Sequence, residues 1–172
     1  MHHGSVKTPE AGWLFDTFAD GVYTLAYRII RDRHLAEDVV QETFIKVIRS
    51  LANYRGDGPI AAWTYRIGYH EAIAATRRRR EEPLDPVDVA VKIDRPTGTV
   101  EDQVLAGELA ARLDEAIASL SEPVRAAFVL RDVEGLSTRE VAAVLEISES
   151  AVKMRLARSR EAMRELLKEY LT

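Results

Sequence analysis

The 172-residue chain has no cysteine. That excludes disulfide scaffolds, cysteine-based zinc sites and thiol catalysis, and it is compatible with a reducing, cytoplasmic compartment. No apolar run approaches the roughly 18 residues that span a bilayer, and no signal-peptide core follows Met1, so membrane insertion is not expected. The opening Met1-His2-His3-Gly4-Ser5 is assigned no function. Catalytic signatures are missing as well. His70-Glu71 lacks a second histidine four residues on, and the four histidines do not cluster at ligand spacing. There is no phosphate loop, no nucleophile elbow and no arrangement of Ser, His and Asp that would serve as a triad. No catalytic residue, metal, cofactor or small-molecule substrate is therefore expected. Net charge is also small: 24 Lys+Arg against 28 Asp+Glu give -4. A mild acidic excess argues against nucleic-acid binding only if the charges are evenly spread, so their distribution decides.

Proline is scarce and concentrated. Of six prolines, Pro83, Pro86 and Pro96 fall between Glu81 and Gln103, a stretch rich in acids and without sustained periodicity. It reads as an acidic, extended linker over 81–103. The chain is thereby divided into two small all-α domains, 1–80 and 104–172, each near the lower size limit for independent folding. No strand pattern competes. Trp13 to Arg33 carries Trp13, Phe15, Phe18, Val22, Leu25, Ala26, Ile29 and Ile30 near a 3.6-residue period. Leu35 to Leu51 has an apolar stripe of Leu35, Val39, Phe44, Val47, Ile48 and Leu51. A turn at 53–59 precedes a third helix over Ile60 to Arg80, with Ile60, Trp63, Ile67 and Ala74 inward. Beyond the linker, Val104 to Leu120 is helical, with Leu105, Leu109, Leu113, Ala116 and Ile117 on one side. Ser121 is placed to cap the next helix, which has Pro123 in its first turn and stops at Gly135.

Ser137-Thr138-Arg139-Glu140 has the form of a capping box. The short helix it opens ends near Leu145. A turn at 146–148 follows, and Ser148 caps a final helix running to about Tyr170. Two capped helices around so short a turn have helix-turn-helix spacing, with Val141, Ala142 and Leu145 set against Ile147, Val152 and Leu156. The second helix then turns Glu149, Ser150, Lys153, Met154, Arg155, Ala157, Arg158 and Arg160 outward, its basic members suited to phosphates or guanine edges. An ordinary helical hairpin with a solvated basic face has the same spacing. In the first half, Tyr54, Trp63, Tyr65 and Tyr69 interleave with Arg55, Arg66 and the run Arg77 to Arg80, a mixture suited to unpaired bases. Equally, Trp63 sits at a core position and terminal arginines complement a helix dipole. Glu37, Asp38, Gln41 and Glu42 form one polar face, either solvated or a protein-docking surface.

Several strings resemble the extracytoplasmic-function sigma factors of bacterial RNA polymerase. Leu25-Ala26-Tyr27-Arg28-Ile29-Ile30-Arg31-Asp32, followed by Ala36-Glu37-Asp38-Val39-Val40-Gln41-Glu42-Thr43-Phe44, is similar to that family's second conserved region. Tyr54-Arg55-Gly56 and Trp63-Thr64-Tyr65-Arg66-Ile67 continue it. Leu130 to Ser137, Glu140-Val141-Ala142, and Val152-Lys153-x-Arg155-Leu156-x-Arg158-x-Arg160 resemble the fourth region. The resemblance implies that Glu37, Asp38, Gln41 and Glu42 bind core RNA polymerase. It implies that Tyr54, Arg55, Arg66, Tyr69, His70, Arg77 and Arg78 recognise and melt the minus-ten element of promoter DNA, capturing a flipped base. Arg139, Glu149, Ser150, Lys153, Arg155, Arg158 and Arg160 would read the minus-thirty-five element in the major groove. Tyr69-His70 stands where members often have Arg-Asn, and Ala74 where Asp is frequent. Ala151, Met154 and Ala157 replace the usual Thr, Ser and His, so promoter preference is expected to differ. No further domain is expected beyond Thr172, which assigns regulation to another molecule; an anti-sigma factor is the candidate partner. Two alternatives stand beside this reading: a stand-alone helix-turn-helix regulator and a helical protein-binding adaptor.

Overall fold

The computed structural model describes residues 8–81 and 100–170; most of the stretch read as a linker, with its three prolines, lies outside them. All regular structure among the described residues is helical. The main helices are α1 (Ala11–Ile30), α2 (Arg33–Ser50), α3 (Ile60–Glu81), α4 (Val100–Ser119), α5 (Glu122–Phe128), α6 (Thr138–Leu145) and α7 (Glu149–Leu166). Helix α4 thus begins four residues before its expected start, inside the span assigned to the linker.

Helix α1 ends because Arg31 adopts the left-handed conformation (φ 61°), its N–H returning to the Tyr27 carbonyl. Asp32 then opens α2 by accepting from the Leu35 N–H at 3.0 Å. Two residues suffice for the reversal, and α1 and α2 pack closely with α3. Gly68 eases the α1–α3 crossing, since a Cβ there would stand 3.0 Å from Val22 Cγ1, tighter than an ordinary contact. The inward seam of α2 is Ala36, Val39, Thr43, Phe44 and Val47. Thr43 is tolerated there because its hydroxyl donates to the Val39 carbonyl at 2.6 Å. The expected stripe is corrected at one end. Ile48 is 58% exposed, because it lies a full 100° past Val47 and off the seam, while Leu35 and Leu51 are half-buried. In α1, Trp13 and Phe15 likewise lie outside the core.

Helix α3 departs furthest from expectation. Its buried positions are Ala62, Thr64, Tyr65, Gly68, Glu71, Ala72 and Ala75, whereas Ile60, Trp63, Ile67 and Ala74 are half-buried. The cause is packing on two sides, against α1 and α2 on one and α6 on the other. Apart from Tyr65 and Glu71, small residues take the crowded positions, and Ile60, Trp63 and Ile67 the margins.

In the second half, α4 buries only its C-terminal part. Ala116, Ile117 and Leu120 pack with Val124 and Met163, while Leu105 and Leu109, expected inward, are exposed. The Ser121 side chain makes no cap. The end of α4 is instead closed by Arg125, which donates to the Ile117, Ala118 and Leu120 carbonyls and to Arg28 of α1. A single π-type turn at Val129–Val133 follows α5, and Gly135 takes φ 77° where only glycine is unstrained. The capping box is formed: Glu140 N–H to Ser137 Oγ is 3.1 Å and Ser137 N–H to Glu140 Oε2 is 2.6 Å. Glu146 in the left-handed region closes α6, and Ser148 Oγ accepts from the Ala151 N–H at 3.1 Å to open α7.

The halves share one core. Leu14, Val22 and Tyr65 belong to the same buried cluster as Ala126, Leu130 and Val141. A charged clamp lies beside it, in which Asp114 accepts from Arg31 at 3.0 Å and also from Arg28. Burial works against ionised Asp114, but the two guanidiniums outweigh it and hold the carboxyl below its usual range. A depressed carboxylate contributes stability that is present above its unfolded pKa, near pH 4, and is lost as pH falls through the folded value. Asp114→Asn is therefore expected to cost about 1–2 kcal/mol at pH 7, discounted for the solvent that reaches the pair. Its loss of stability on acidification should also be shallower than wild type. Urea melts at pH 7, 4 and 3 check both points.

Candidate nucleic-acid and protein-docking surfaces

Glu37, Asp38, Gln41 and Glu42 are all exposed on α2. The same face continues through Ile45 (40% exposed) and Ile48 (58%). These two were missed in the sequence, where Ile48 was assigned to the core; positions 38, 41, 45 and 48 follow the i, i+3, i+4 rule and would have shown it. An acidic face with exposed isoleucines is complementary in charge and polarity to a surface that is basic and apolar. Asp38 and Glu42 also line a cleft of about 220 Å³ shared with Arg78 and Arg79.

The second surface runs from the 53–59 turn along α3. The Tyr54 hydroxyl donates to the Gly58 carbonyl at 2.5 Å and closes the turn. Its ring lies 5.2 Å from Trp63. Both rings line a cavity of about 320 Å³, together with Arg55, Arg66 and neighbours and with Ala143 of α6. Trp63 is thus half-buried at a pocket wall rather than enclosed in the core. Arg55, Arg66, His70, Arg77 and Arg78 are exposed and Tyr69 is half-buried. The arginine run is divided: Arg79 donates to the Ile30 carbonyl at 3.0 Å and ties the ends of α3 and α1 together. Tyr65 does not belong to the exposed set at all. It is 4% exposed and donates to Glu134 at 2.9 Å. Burial, with Glu134 beside it, pushes its phenol well above the ordinary range, and burial likewise raises Glu134. Tyr69 donates to Glu122 at 3.1 Å; burial and that carboxylate push its pKa up to about 12. Arg66 pairs with Glu146, which also stands 3.5 Å from His70.

The third surface is the helix-turn-helix of α6 and α7. Arg139, Glu149, Ser150, Lys153 and Arg158 are exposed on it. Arg155 is half-buried and close enough to Tyr69 for its charge to act on that phenol. Arg160 is exposed but held by both oxygens of Asp132, at 2.8 and 3.2 Å. It braces α7 against the π-type turn, a partnership that no local spacing announces. Among the described residues no group of His, Asp and Glu could hold a metal ion, and no helix is long and apolar enough to cross a membrane.

Comparison with known proteins matches both halves of the chain. Residues 14–82 match sigma-70 region 2, and residues 110–163 match sigma-70, region 4. The chain is 40% identical over 154 residues to the ECF RNA polymerase sigma factor SigE of Mycolicibacterium smegmatis; this covers 87% of the chain and 58% of that relative's length. It is 35% identical over 159 residues to the RNA polymerase sigma-H factor of Pseudomonas aeruginosa, covering 86% of the chain and 80% of that protein. The fold is like that of the sigma factor RpoE of Bartonella quintana, solved in complex with the anti-sigma factor NepR, with TM-score 0.73, 24% identity and coverage of 91% and 95%. With region 2 carrying the acidic and aromatic surfaces and region 4 the helix-turn-helix, the chain belongs to the ECF sigma factors of RNA polymerase.

Proposed function

We propose that the three surfaces divide the work of transcription initiation. The chain is a non-enzymatic initiation factor that binds core RNA polymerase and promoter DNA. Glu37, Asp38, Gln41 and Glu42, extended by Ile45 and Ile48, dock on polymerase. Tyr54, Arg55, Arg66, Tyr69, His70, Arg77 and Arg78 take the minus-ten element, and the Tyr54–Trp63 cavity receives an unstacked base. Arg139, Glu149, Ser150, Lys153, Arg155 and Arg158 face the minus-thirty-five element, with Arg160 bracing α7 from Asp132. The domains are region 2 over 1–80 and region 4 over 104–172, the work is cytoplasmic, and an anti-sigma factor is a fitting partner.

The carrying observation is the cavity: two aromatic rings, Tyr54 and Trp63, and two exposed arginines, Arg55 and Arg66, line it together and offer stacking and backbone charge in one place. A stand-alone regulator or protein adaptor has no use for it. Reconstitution with core polymerase, permanganate footprinting and sequencing of transcripts from genomic DNA test the reading. Defined initiation sites with reactive thymines are expected; a complex that opens no promoter would refute it. On the upstream side, Arg158→Ala is expected to weaken promoter binding by about 1–3 kcal/mol if it grips a guanine, relaxing specificity there. A phosphate contact would show instead as a lower salt slope. An unchanged footprint and salt slope would remove Arg158 from the contact surface.

A further inference from the structure

Helix α7 carries an apolar side chain at the middle of its basic face. Val152, Leu156, Ser159 and Met163 are buried and mark the side of α7 that packs on the rest of the protein. At about 100° per residue, Met154 lies almost opposite the centre of that side, and it is 56% exposed. Ser150 and Arg158, four residues to either side, complete an outward row, and Lys153 and Ala157 flank it; all four are exposed. Beyond Arg158 the same face turns acidic, with Glu161 and Glu165 exposed. Those carboxylates repel phosphate, so a duplex on this face is confined to about the first three turns, where a recognition helix meets base edges.

We infer that Met154 reads the 5-methyl group of a thymine in the upstream element, so that this chain selects an A·T pair there by apolar contact. This rests on the reading of α7 as the face toward the minus-thirty-five element. In the major groove only thymine presents an apolar group at its base edge; the other edges are hydrogen-bond donors and acceptors. A thioether donates no hydrogen bond and accepts only weakly, so a base whose polar edge is buried against it loses its water and gains no partner. Methionine is unbranched and flexible enough to follow a methyl group into the groove. Ala157 beside it offers no hydrogen bond from its side chain either, which leaves the centre of the face apolar across two positions. Charge is supplied around that centre by Lys153 and Arg158. Arg158 stands about 6 Å further along the helix axis, about two base-pair steps, so it and Met154 sample different base pairs in one groove.

The test uses holoenzyme reconstituted with the full chain. Upstream duplexes are selected from a random pool, and each thymine of the recovered element is then replaced singly by deoxyuridine, which deletes the 5-methyl group and keeps the base pairing. At one position the wild type is expected to lose about fourfold in affinity, the effect of withdrawing one methyl group from an apolar contact. Met154→Ser should bind the thymine duplex about as weakly as wild type binds the deoxyuridine one, and should not distinguish the two. Met154→Leu should keep the discrimination. Arg158→Ala should weaken binding and still respond to the methyl group, which separates the two contacts. An effect of uracil on duplex stiffness would act alike on wild type and Met154→Ser. The inference is overturned if no thymine responds, or if Met154→Ser responds as wild type does. If the holoenzyme recovers no upstream sequence at all while still opening promoters, the reading of α7 itself is overturned, and the inference with it.

Discussion

Asp38→Lys combined with Glu42→Lys is expected to leave the helical circular dichroism unchanged and to abolish assembly with core polymerase. Both residues are exposed on α2, where charge changes away from a contact usually cost within about 0.5 kcal/mol of stability. Against a basic partner the same reversal sets like charges together in a desolvated contact and costs several kcal/mol of binding, about a thousandfold or more in affinity. Ile48→Asp should weaken assembly by a separate route, because Ile48 is 58% exposed beside this face and its apolar surface is removed from water only in the complex. Gel filtration and a fluorescence-based binding curve with core enzyme measure both. Wild-type affinity in the double reversal would reduce the α2 face to a solvated one.

Leu130→Ala should produce the largest loss of stability. Leu130 is fully buried, in the π-type turn that lies in the core common to both halves. Truncating such a leucine removes its transfer energy and leaves a cavity, together about 3 kcal/mol within a range of 2–5. The fluorophores make the expectation sharper. Both tryptophans, Trp13 and Trp63, lie in the first half, so fluorescence reports unfolding there, while circular dichroism reports all helices. With one shared core, a change at position 130 is expected to lower the urea midpoint seen by both probes equally. If the tryptophan transition stays at its wild-type midpoint while the dichroism splits in two, the halves unfold independently.

What could be read from the sequence was whatever local chemistry determines. The Ser137–Glu140 box, the Ser148 cap and the Gly135 stop each depend on residues within four positions of one another. They set the boundaries of two helices at helix-turn-helix spacing, a spacing that an ordinary helical hairpin shares. The polar face of α2 was legible for the same reason. The α3 surface was only half legible. Tyr65, Tyr69 and Trp63 look alike as aromatics among arginines, yet one is buried, one half-buried against Glu122 and one a pocket wall. The difference is made by Glu122 of α5, Glu134 after the π-type turn and Ala143 of α6, each more than 50 residues away in the chain. Arg79 and Arg160 were grouped with their neighbours for lack of any sign of their partners, Ile30 and Asp132. Helix periodicity also presumes a single buried face, which α3, packed on both sides, does not have.

Chain order gives the interface a history during synthesis. The aromatic and arginine side chains of α3 precede Glu122, Glu134 and Glu146, so α3 leaves the ribosome before anything that covers it. At about 5–20 residues per second, the 65 positions from Glu81 to Glu146 take roughly 3–13 s to make. The contacts that close the molecule, such as Arg125 to the Arg28 carbonyl across 97 residues, are among its most distant in sequence and form late. Each newly made molecule therefore passes through an interval of seconds in which α3 has been made and its partners in the second half have not. That interval is the time in which the aromatic and arginine side chains of α3 meet solvent before Glu122, Glu134 and Glu146 reach them.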